Sequence, residues 1–264
     1  MVSLNTYMNS LASSYYISHG SYERTAINGS VITIQKWLNE YFGKDILEVE
    51  VFGSWNRDTT LPRKYNSNSD VDIMIIFDHE RLQNTPETYR TWLKGFAEKK
   101  YSRSQIQKDF PTVRVDMKHI TFDLIPTKKT SFLITSYYIP DINNNWMSTE
   151  PHSFTNTVVS KNTTHGSIVK PVLRLIKCWN ANNGQPFDSY LLEKHVIENV
   201  WWFFNNSIED AFFAACKSLS SWGGTTFQNS KVQTLHNNVD WVREYQRRND
   251  LSKAKQRLHK ILPI

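Results

Sequence analysis

Residues 49–78, V-E-V-F-G-S-W-N-R-D-T-T-L-P-R-K-Y-N-S-N-S-D-V-D-I-M-I-I-F-D, decide how this chain is read. They predict a strand, a Gly-Ser turn, a polar loop, and a second strand that opens with two carboxylates. Asp70 and Asp72 are two residues apart, a spacing that on a strand puts both side chains on one face, roughly 6–7 Å apart. Val71, Ile73 and Ile75 then point the other way, toward a core. Two acids on one face with no basic residue between them repel each other unless a cation sits there. Mg²⁺ suits the place, because it takes one or two carboxylates together with substrate phosphates. Gly53-Ser54 adds what such a site lacks. A Gly turn exposes backbone N–H groups and the Ser hydroxyl is a further donor, so a phosphate can sit there. A D-x-D at a strand start is common and alone says little; the turn before it and a third carboxylate give it weight.

A chain of 264 residues suits one large domain or two small ones. With 39% hydrophobic and 13% aromatic residues it has the material for a core, which argues against disorder. The net charge of +6 suits a polyanionic partner such as a nucleotide, RNA or DNA, although a merely basic surface gives the same count. The two cysteines, Cys178 and Cys216, lie in apolar helical patterns and read as buried free thiols. No C-x-x-C pair occurs and the His residues are scattered, which speaks against zinc. The first residues lack a basic segment followed by an apolar one, and no apolar run approaches ~18 residues. The expectation is a cytoplasmic protein that does not enter the membrane.

Helical periodicity predicts a short helix over 4–17, broken by Gly20, and a long one over 21–42 with Ile27, Val31, Ile34, Trp37, Leu38 and Phe42 on one side, ended by Gly43. Strands follow at Ile46–Phe52 and Val71–Phe77, then a helix over 85–99. Strand-like segments come next at Gln105–Phe110, Thr112–Met117, Ile120–Pro126 and Phe132–Ile139, with a tight turn at Met117–Ile120. Asp141–Asn145 is a polar loop, and Pro151 marks a change of character. Beyond it helices are expected at 152–162, 167–181, 188–204, 207–220 and 238–260, with a loop at Trp222–Ser230. The expectation is therefore an α+β chain: an α/β sheet domain over 1–150 and a helical domain over 151–264.

The segment T-F-D-L-I-P sets Asp123 in the middle of an apolar strand. An unpaired buried charge is costly, so an Arg, a Lys or a metal must compensate it. Asp116, in V-R-V-D-M, competes for the same role from a place near the turn. Glu48 and Glu50 alternate with Leu47 and Val49 and read as a solvated face. Three acids on two strands can hold two metal ions ~4 Å apart, one activating a hydroxyl and the other neutralising a triphosphate and its leaving pyrophosphate. That chemistry is attack of a ribose hydroxyl on the α-phosphate of a nucleoside triphosphate.

F-G-S at 52–54, D-V-D at 70–72 and F-D-L-I-P at 122–126 together resemble the DNA polymerase β-like nucleotidyltransferase superfamily. W-M-S-T-E-P-H at 146–152, L-R-L-I-K-C-W-N at 173–180 and S-Y-L-L-E at 189–193 narrow the resemblance to the CD-NTases, bacterial enzymes similar to cyclic GMP-AMP synthase and oligoadenylate synthetase. It covers roughly residues 25–215. The resemblance implies a polymerase β-like nucleotidyltransferase core, a mixed sheet with flanking helices, then a C-terminal helical half that closes the nucleotide cleft. The helix over 21–42 would be the spine joining the two. It implies that Gly53 and Ser54 meet the triphosphate, that Asp70, Asp72 and Asp123 hold two Mg²⁺ or Mn²⁺ ions, that Lys177 and Ser189 reach the donor phosphates, and that Tyr190 stacks on the base.

The residues alone also allow plainer roles: a solvated helix face for Arg174 and Lys177, N-capping for Ser189, and core packing for Trp179 and Tyr190. Arg57, Arg63 and Lys64 lie in a loop that reads as basic and exposed, and the segment after 222 matches the family poorly. Nothing resembles the zinc insertion of the animal DNA sensor, so a nucleic-acid activator is not implied. The reading is a template-independent enzyme that joins ribonucleoside triphosphates into a cyclic di- or trinucleotide second messenger for anti-phage defence, with a regulatory or effector protein of a defence operon as partner. Absence of a heptad or repeat favours a monomer. The alternative is a transferase that adds a nucleotide to a tRNA end, a protein or an aminoglycoside. A fold that merely binds nucleotide is a third reading, but clustered acids repel phosphate unless a metal joins them.

Overall fold

The structure is a computed structural model and describes residues 3–101, 105–107, 111–131, 135–201, 207–219 and 224–264. It resolves into two compact units that interleave along the sequence: residues 18–57 with 68–155, and residues 1–17 with 58–67 and 156–264. The sequence division at 150 is thus crossed twice. Residues 1–17 and 58–67, both assigned by sequence to the first domain, group with the later helices, where Asp58 meets Lys170 and Arg174.

The sheet unit begins with α2 (Tyr22–Phe42), which Gly43 terminates at a φ of 53°. Then come β1 (Ile46–Phe52), a four-residue turn of helix α3 (Gly53–Asn56), β2 (Asp70–Phe77), the short α4 (His79–Leu82) and α5 (Pro86–Lys100). Strands β3 (Gln105–Gln107), β4 (Val113–Asp116), β5 (Thr121–Ser131), β6 (Thr135–Pro140) and β7 (Trp146–Thr149) complete it. Among the described residues these strands form one mixed sheet in the order β1-β2-β5-β4-β3, with β6 paired to the far part of the long β5 on the same edge as β4, past the end of β4, and β7 paired to β6. β2 and β5 are parallel; the other pairs are antiparallel. The turn expected at Met117–Ile120 is present, with the Met117 amide donating to the Ile120 carbonyl at 3.0 Å.

Val71, Ile73, Ile75 and Phe77 project from one face of β2 and are wholly buried. Phe77 stacks on Tyr89 of α5, centroids 4.2 Å apart, and meets Phe42 of α2 edge-on. Helices α2 and α5 therefore cover this face. Asp70 and Asp72 project from the opposite face.

The helical unit contains α1 (Leu4–Ser14), most of α6 (Pro151–Thr164), α7 (Val169–Asn182), α8 (Ser189–Asn199), α9 (Ile208–Ser218), α10 (Thr226–Arg247) and α11 (Leu251–Leu258). Helix α1 packs on α7, α9 and α11. Three expectations need correction. The loop expected at Trp222–Ser230 becomes helix from Thr226, because Thr225 and Gln228 form a reciprocal capping box that satisfies two end donors. The helix expected over 238–260 is two helices, broken where Asn249 turns to a φ of 55° and Asp250 caps α11. Strand β7 was not anticipated. Residues 108–110, 132–134, 202–204 and 222–223 of the expected elements lie outside the described residues.

Cys178 and Cys216 are buried free thiols. Burial pushes the Cys178 thiol up to about 12 and Cys216 well above its ordinary value. At pH 8 both are protonated and shielded, so Ellman's reagent should find no fast thiol in the native protein and two in guanidinium chloride. A fast native thiol would show that the interior around α7 and α9 is open.

Candidate active site

The site is laid out by strand register. Asp72 on β2 stands opposite Phe52 on β1 and opposite Asp123 on β5, and Asp123 stands opposite Arg114 on β4. The adjacent rung reads Asp70, Thr121, Asp116. Residues on one rung share a face and their strands lie ~4.8 Å apart, so Asp70, Asp72, Asp123 and Asp116 crowd one side of the sheet.

Gly53 closes the end of β1. It takes a φ of 70°, and a Cβ there would fall on Oδ2 of Asp72 and 2.8 Å from its Cγ. The Asp72 carboxylate is thus laid against the Gly53 backbone, in a space that only a residue without a side chain leaves open. The expected Gly-Ser turn is a left-handed glycine followed by the single turn of α3. That turn is pinned by buried Trp55, over whose ring the Arg24 guanidinium sits at 4.6 Å. Arg57, expected in an exposed loop, is buried over the ring of Phe154 at 4.9 Å.

Asp123 is 6% exposed, and its charge is compensated. Arg114 Nε donates to Oδ1 at 2.9 Å and Nη2 to Oδ2 at 2.8 Å, a bidentate fork that occupies both oxygens. Asp116, the competing acid, accepts a hydrogen bond from Thr121 Oγ1 at 2.8 Å. Farther along this face Glu50 is only partly exposed and lies 3.3 Å from His152. Desolvation, then its hydrogen bond with Glu48, raises the Glu50 pKa, so the solvated face expected for this pair holds for Glu48 alone.

A hard divalent cation asks for oxygen ligands and accepts two carboxylates with phosphates supplying the rest. Asp70 and Asp72, with the Asp72 carboxylate turned onto the glycine of a phosphate-type turn, fit that need. A three-acid set is not assembled: among the described residues no group of three or more His, Cys, Asp or Glu is arranged to hold a metal ion. For Asp123 the reason is visible in the Arg114 fork.

The helical unit carries the other sequence candidates. Lys177 is 6% exposed rather than on a solvated face. Its Nζ donates to Glu193 Oε1 at 2.6 Å, and Thr59 Oγ1 donates to the same oxygen at 2.8 Å. Arg174, one turn earlier, donates to the Asp58 carbonyl at 2.9 Å and lies over the Tyr16 ring; burial lowers its pKa to about 10. Lys170 meets Asp58 Oδ2 at 3.0 Å. The segment 58–67 is therefore gripped by one basic stripe of α7, and Thr59, Thr60 and Leu61 are buried. Asp188, not Ser189, caps α8; its side chain accepts from the Leu191 amide, and Ser189 is the first helical residue. Trp179 is core, whereas Tyr190 is 47% exposed and is not.

Sequence reasoning missed Arg114 and Glu193. Arg114 was within reach, since counting outward from the Met117–Ile120 turn sets it opposite Asp123. Glu193 closes the S-Y-L-L-E block, but its role as partner of Lys177 had no local signal, because Lys177 lies on another helix.

The family model for the Second Messenger Oligonucleotide or Dinucleotide Synthetase domain matches residues 2–162. A probable cyclic nucleotide synthase of Bacillus cereus (strain VD146), IK1_05630, is 25% identical over 200 residues, which is 62% of this chain and 58% of that protein. The chain thus matches less than two thirds of that relative's length. The structure of the CD-NTase CdnG of Bradyrhizobium diazoefficiens in complex with GTP superposes with a TM-score of 0.71 at 11% identity, covering 98% of both chains. Escherichia coli MS115-1 CdnC with ATP gives 0.69 at 13% identity, covering 95% of both. The fold is that of the CD-NTases.

Replacing Gly53 by Ala should destabilise the protein by roughly 1–2 kcal/mol from the left-handed backbone alone and displace the Asp72 carboxylate. Urea unfolding reads the first effect and Mn²⁺ binding followed by electron paramagnetic resonance the second. Unchanged stability and unchanged Mn²⁺ affinity would mean that Asp72 does not depend on this glycine.

Proposed function

The chain belongs to the Second Messenger Oligonucleotide or Dinucleotide Synthetase family, and from that premise we propose that it condenses ribonucleoside triphosphates, without a template, into a cyclic di- or trinucleotide that serves as a second messenger in anti-phage defence in the cytoplasm. The observation that carries this reading is the pair of carboxylates at the head of β2, one of them laid against the glycine that precedes Ser54.

In the reaction a ribose hydroxyl loses its proton to solvent as its oxygen forms a bond to the α-phosphorus of a second nucleotide. The bond from that phosphorus to the bridging oxygen breaks, and pyrophosphate leaves with the electron pair. Repeating the step within the linear product closes the ring. Mg²⁺ at Asp70 and Asp72 would polarise the α-phosphate and neutralise the leaving pyrophosphate. Asp70 and Asp72 would hold that cation from one face of the sheet, and Asp123 is proposed as the third acid. Gly53 and Ser54 present donors to the triphosphate, and the fixed turn of α3 keeps them aimed. Lys177 and Ser189 are assigned to the donor phosphates and Tyr190 to the base. The exposed ring of Tyr190 favours that role over core packing. For Lys177 the assignment requires phosphate oxygen to replace Glu193 as the partner of the ammonium.

Two measurements test this. The purified protein, given all four ribonucleoside triphosphates with an α-label on each in turn and Mg²⁺ or Mn²⁺, should yield a phosphatase-resistant product whose mass is that of a ring. Asp72→Asn should abolish it while the protein remains as stable as wild type, because the change removes charge repulsion along with a ligand; full activity in that variant would refute the metal assignment. Label on added RNA or protein, with no small product, would instead favour transfer to a macromolecule. Tyr190→Ala should weaken nucleotide binding by roughly 1–3 kcal/mol in calorimetry if the ring stacks. A lowered melting temperature with unchanged affinity would return Tyr190 to a structural role.

A further inference from the structure

The bidentate fork between Arg114 and Asp123 has a consequence for how cations load onto this sheet. Asp123 is the register partner of Asp72 on the neighbouring parallel strand, and Arg114 is the register partner of Asp123 on the next. One rung thus carries acid, acid, base across three adjacent strands. The Asp123 side chain is 8% exposed, whereas that of Arg114 is 34% exposed. Two carboxylates on adjacent strands of one face repel, and the guanidinium cancels one of the two charges.

We propose that Arg114 is a placeholder cation: it keeps Asp123 neutralised while no metal is bound there and gives way when a divalent ion engages that carboxylate. The fork uses one lone pair on each Asp123 oxygen and draws their charge toward the guanidinium, so a metal on either oxygen competes with the fork for the same negative charge. A divalent ion and the guanidinium, both cations, also repel when they share one carboxylate. Arg114 is the partner able to leave, because its partly exposed head can exchange Asp123 for water, whereas Asp123 on its buried strand cannot move. Loading is then stepwise. A first ion binds at Asp70 and Asp72, and Asp123 joins only when a second cation outcompetes Arg114. Arg114 is a positioning residue, acting through Asp123 and touching neither nucleotide nor reacting atoms.

This inference rests on the metal reading of Asp70 and Asp72 given above. The test is Mn²⁺ titration of the whole chain without nucleotide, followed by electron paramagnetic resonance, on wild type, Asp72→Asn, Arg114→Met and Arg114→Lys. Wild type should bind Mn²⁺ at a site that Asp72→Asn removes. Arg114→Met should bind Mn²⁺ roughly tenfold more tightly or at one additional site, the scale on which an adjacent charge shifts a neighbouring equilibrium. Arg114→Lys, which keeps a cation, should stay near wild type. Arg114→Met should also melt lower without metal, since Asp123 loses its partner, and Mn²⁺ should raise its melting temperature more than it raises that of wild type. Unchanged or weaker Mn²⁺ binding in Arg114→Met, with Asp72→Asn still abolishing the wild-type site, would overturn the placeholder role and leave Arg114 as a fixed support of Asp123. Mn²⁺ binding that Asp72→Asn does not alter would overturn the metal reading, and the placeholder role with it.

Discussion

Negative charge on one face of a sheet is the constraint from which the rest of this molecule follows. Register places Asp70, Asp72, Asp116 and Asp123 within two rungs, at strand spacings where like charges directly opposite destabilise a sheet. Each acid is accommodated differently. Asp123 has the Arg114 fork, Asp116 has Thr121, and Asp72 lies against the one residue whose missing side chain leaves room for it. The apolar face of the same strands is buried under α2 and α5, so β2 and β5 are fixed by packing and the acids cannot relax by shifting register. Hydrophobic burial on one face holds the electrostatic cost on the other.

The chain between the two halves of this motif is a second constraint. Residues 58–67 connect α3 to the approach of β2, yet they fold with the helical unit. Asp58 is held by Lys170 and Arg174, Thr59 by Glu193, and the Tyr65 carbonyl by Asn182 at 3.3 Å. Lys177 lies on the same helix as Lys170 and Arg174, spaced to share its face. Its pairing with Glu193 is a buried ion pair, a kind of contact that contributes little net stability but is expensive to break on one side only. Such a pair fixes where the ammonium sits. Because Glu193 Oε1 accepts from both Lys177 and Thr59, the position of the 58–67 segment and the state of Lys177 are tied to one atom.

Much of this was legible in the sequence, and the legible parts share a cause. Period-two patterning over Val71, Ile73 and Ile75 set the acid face of β2, and period-3.6 patterning set α2, α5 and α7, because burial of one side is written directly into residue order. Short polar segments misled. The stretch around residues 57–64 looks like an exposed basic loop, but only Lys64 of its three basic residues is exposed, and Asp58 and Thr59 are held by Arg174 of α7 and Glu193 of α8, far along the chain. The helix start at Thr226 was hidden behind a Gly- and Thr-rich stretch, since a capping box is a two-residue signal that composition outweighs. For Tyr190 the resemblance implied base stacking while frequency alone allowed core packing, and no local pattern marks which ring on an amphipathic helix remains exposed. Arg114 was derivable from the turn, since the register that sets Asp116 opposite Thr121 also sets Arg114 opposite Asp123.

Acids stand beside the Gly53-Ser54 turn, the proposed seat of a triphosphate, and that pairing has a physical answer. A carboxylate next to a triphosphate site opposes binding, and a scaffold that only held nucleotide would be better served by Lys or Arg at positions 70 and 72. The cations this sequence does place on the sheet face are engaged with acids already: Arg114 with Asp123 and Lys129 with Glu48 at 3.7 Å. A divalent cation arriving with its nucleotide has the sign, the hardness and the oxygen preference that such an acid face suits, which is the physical ground of the metal reading proposed above.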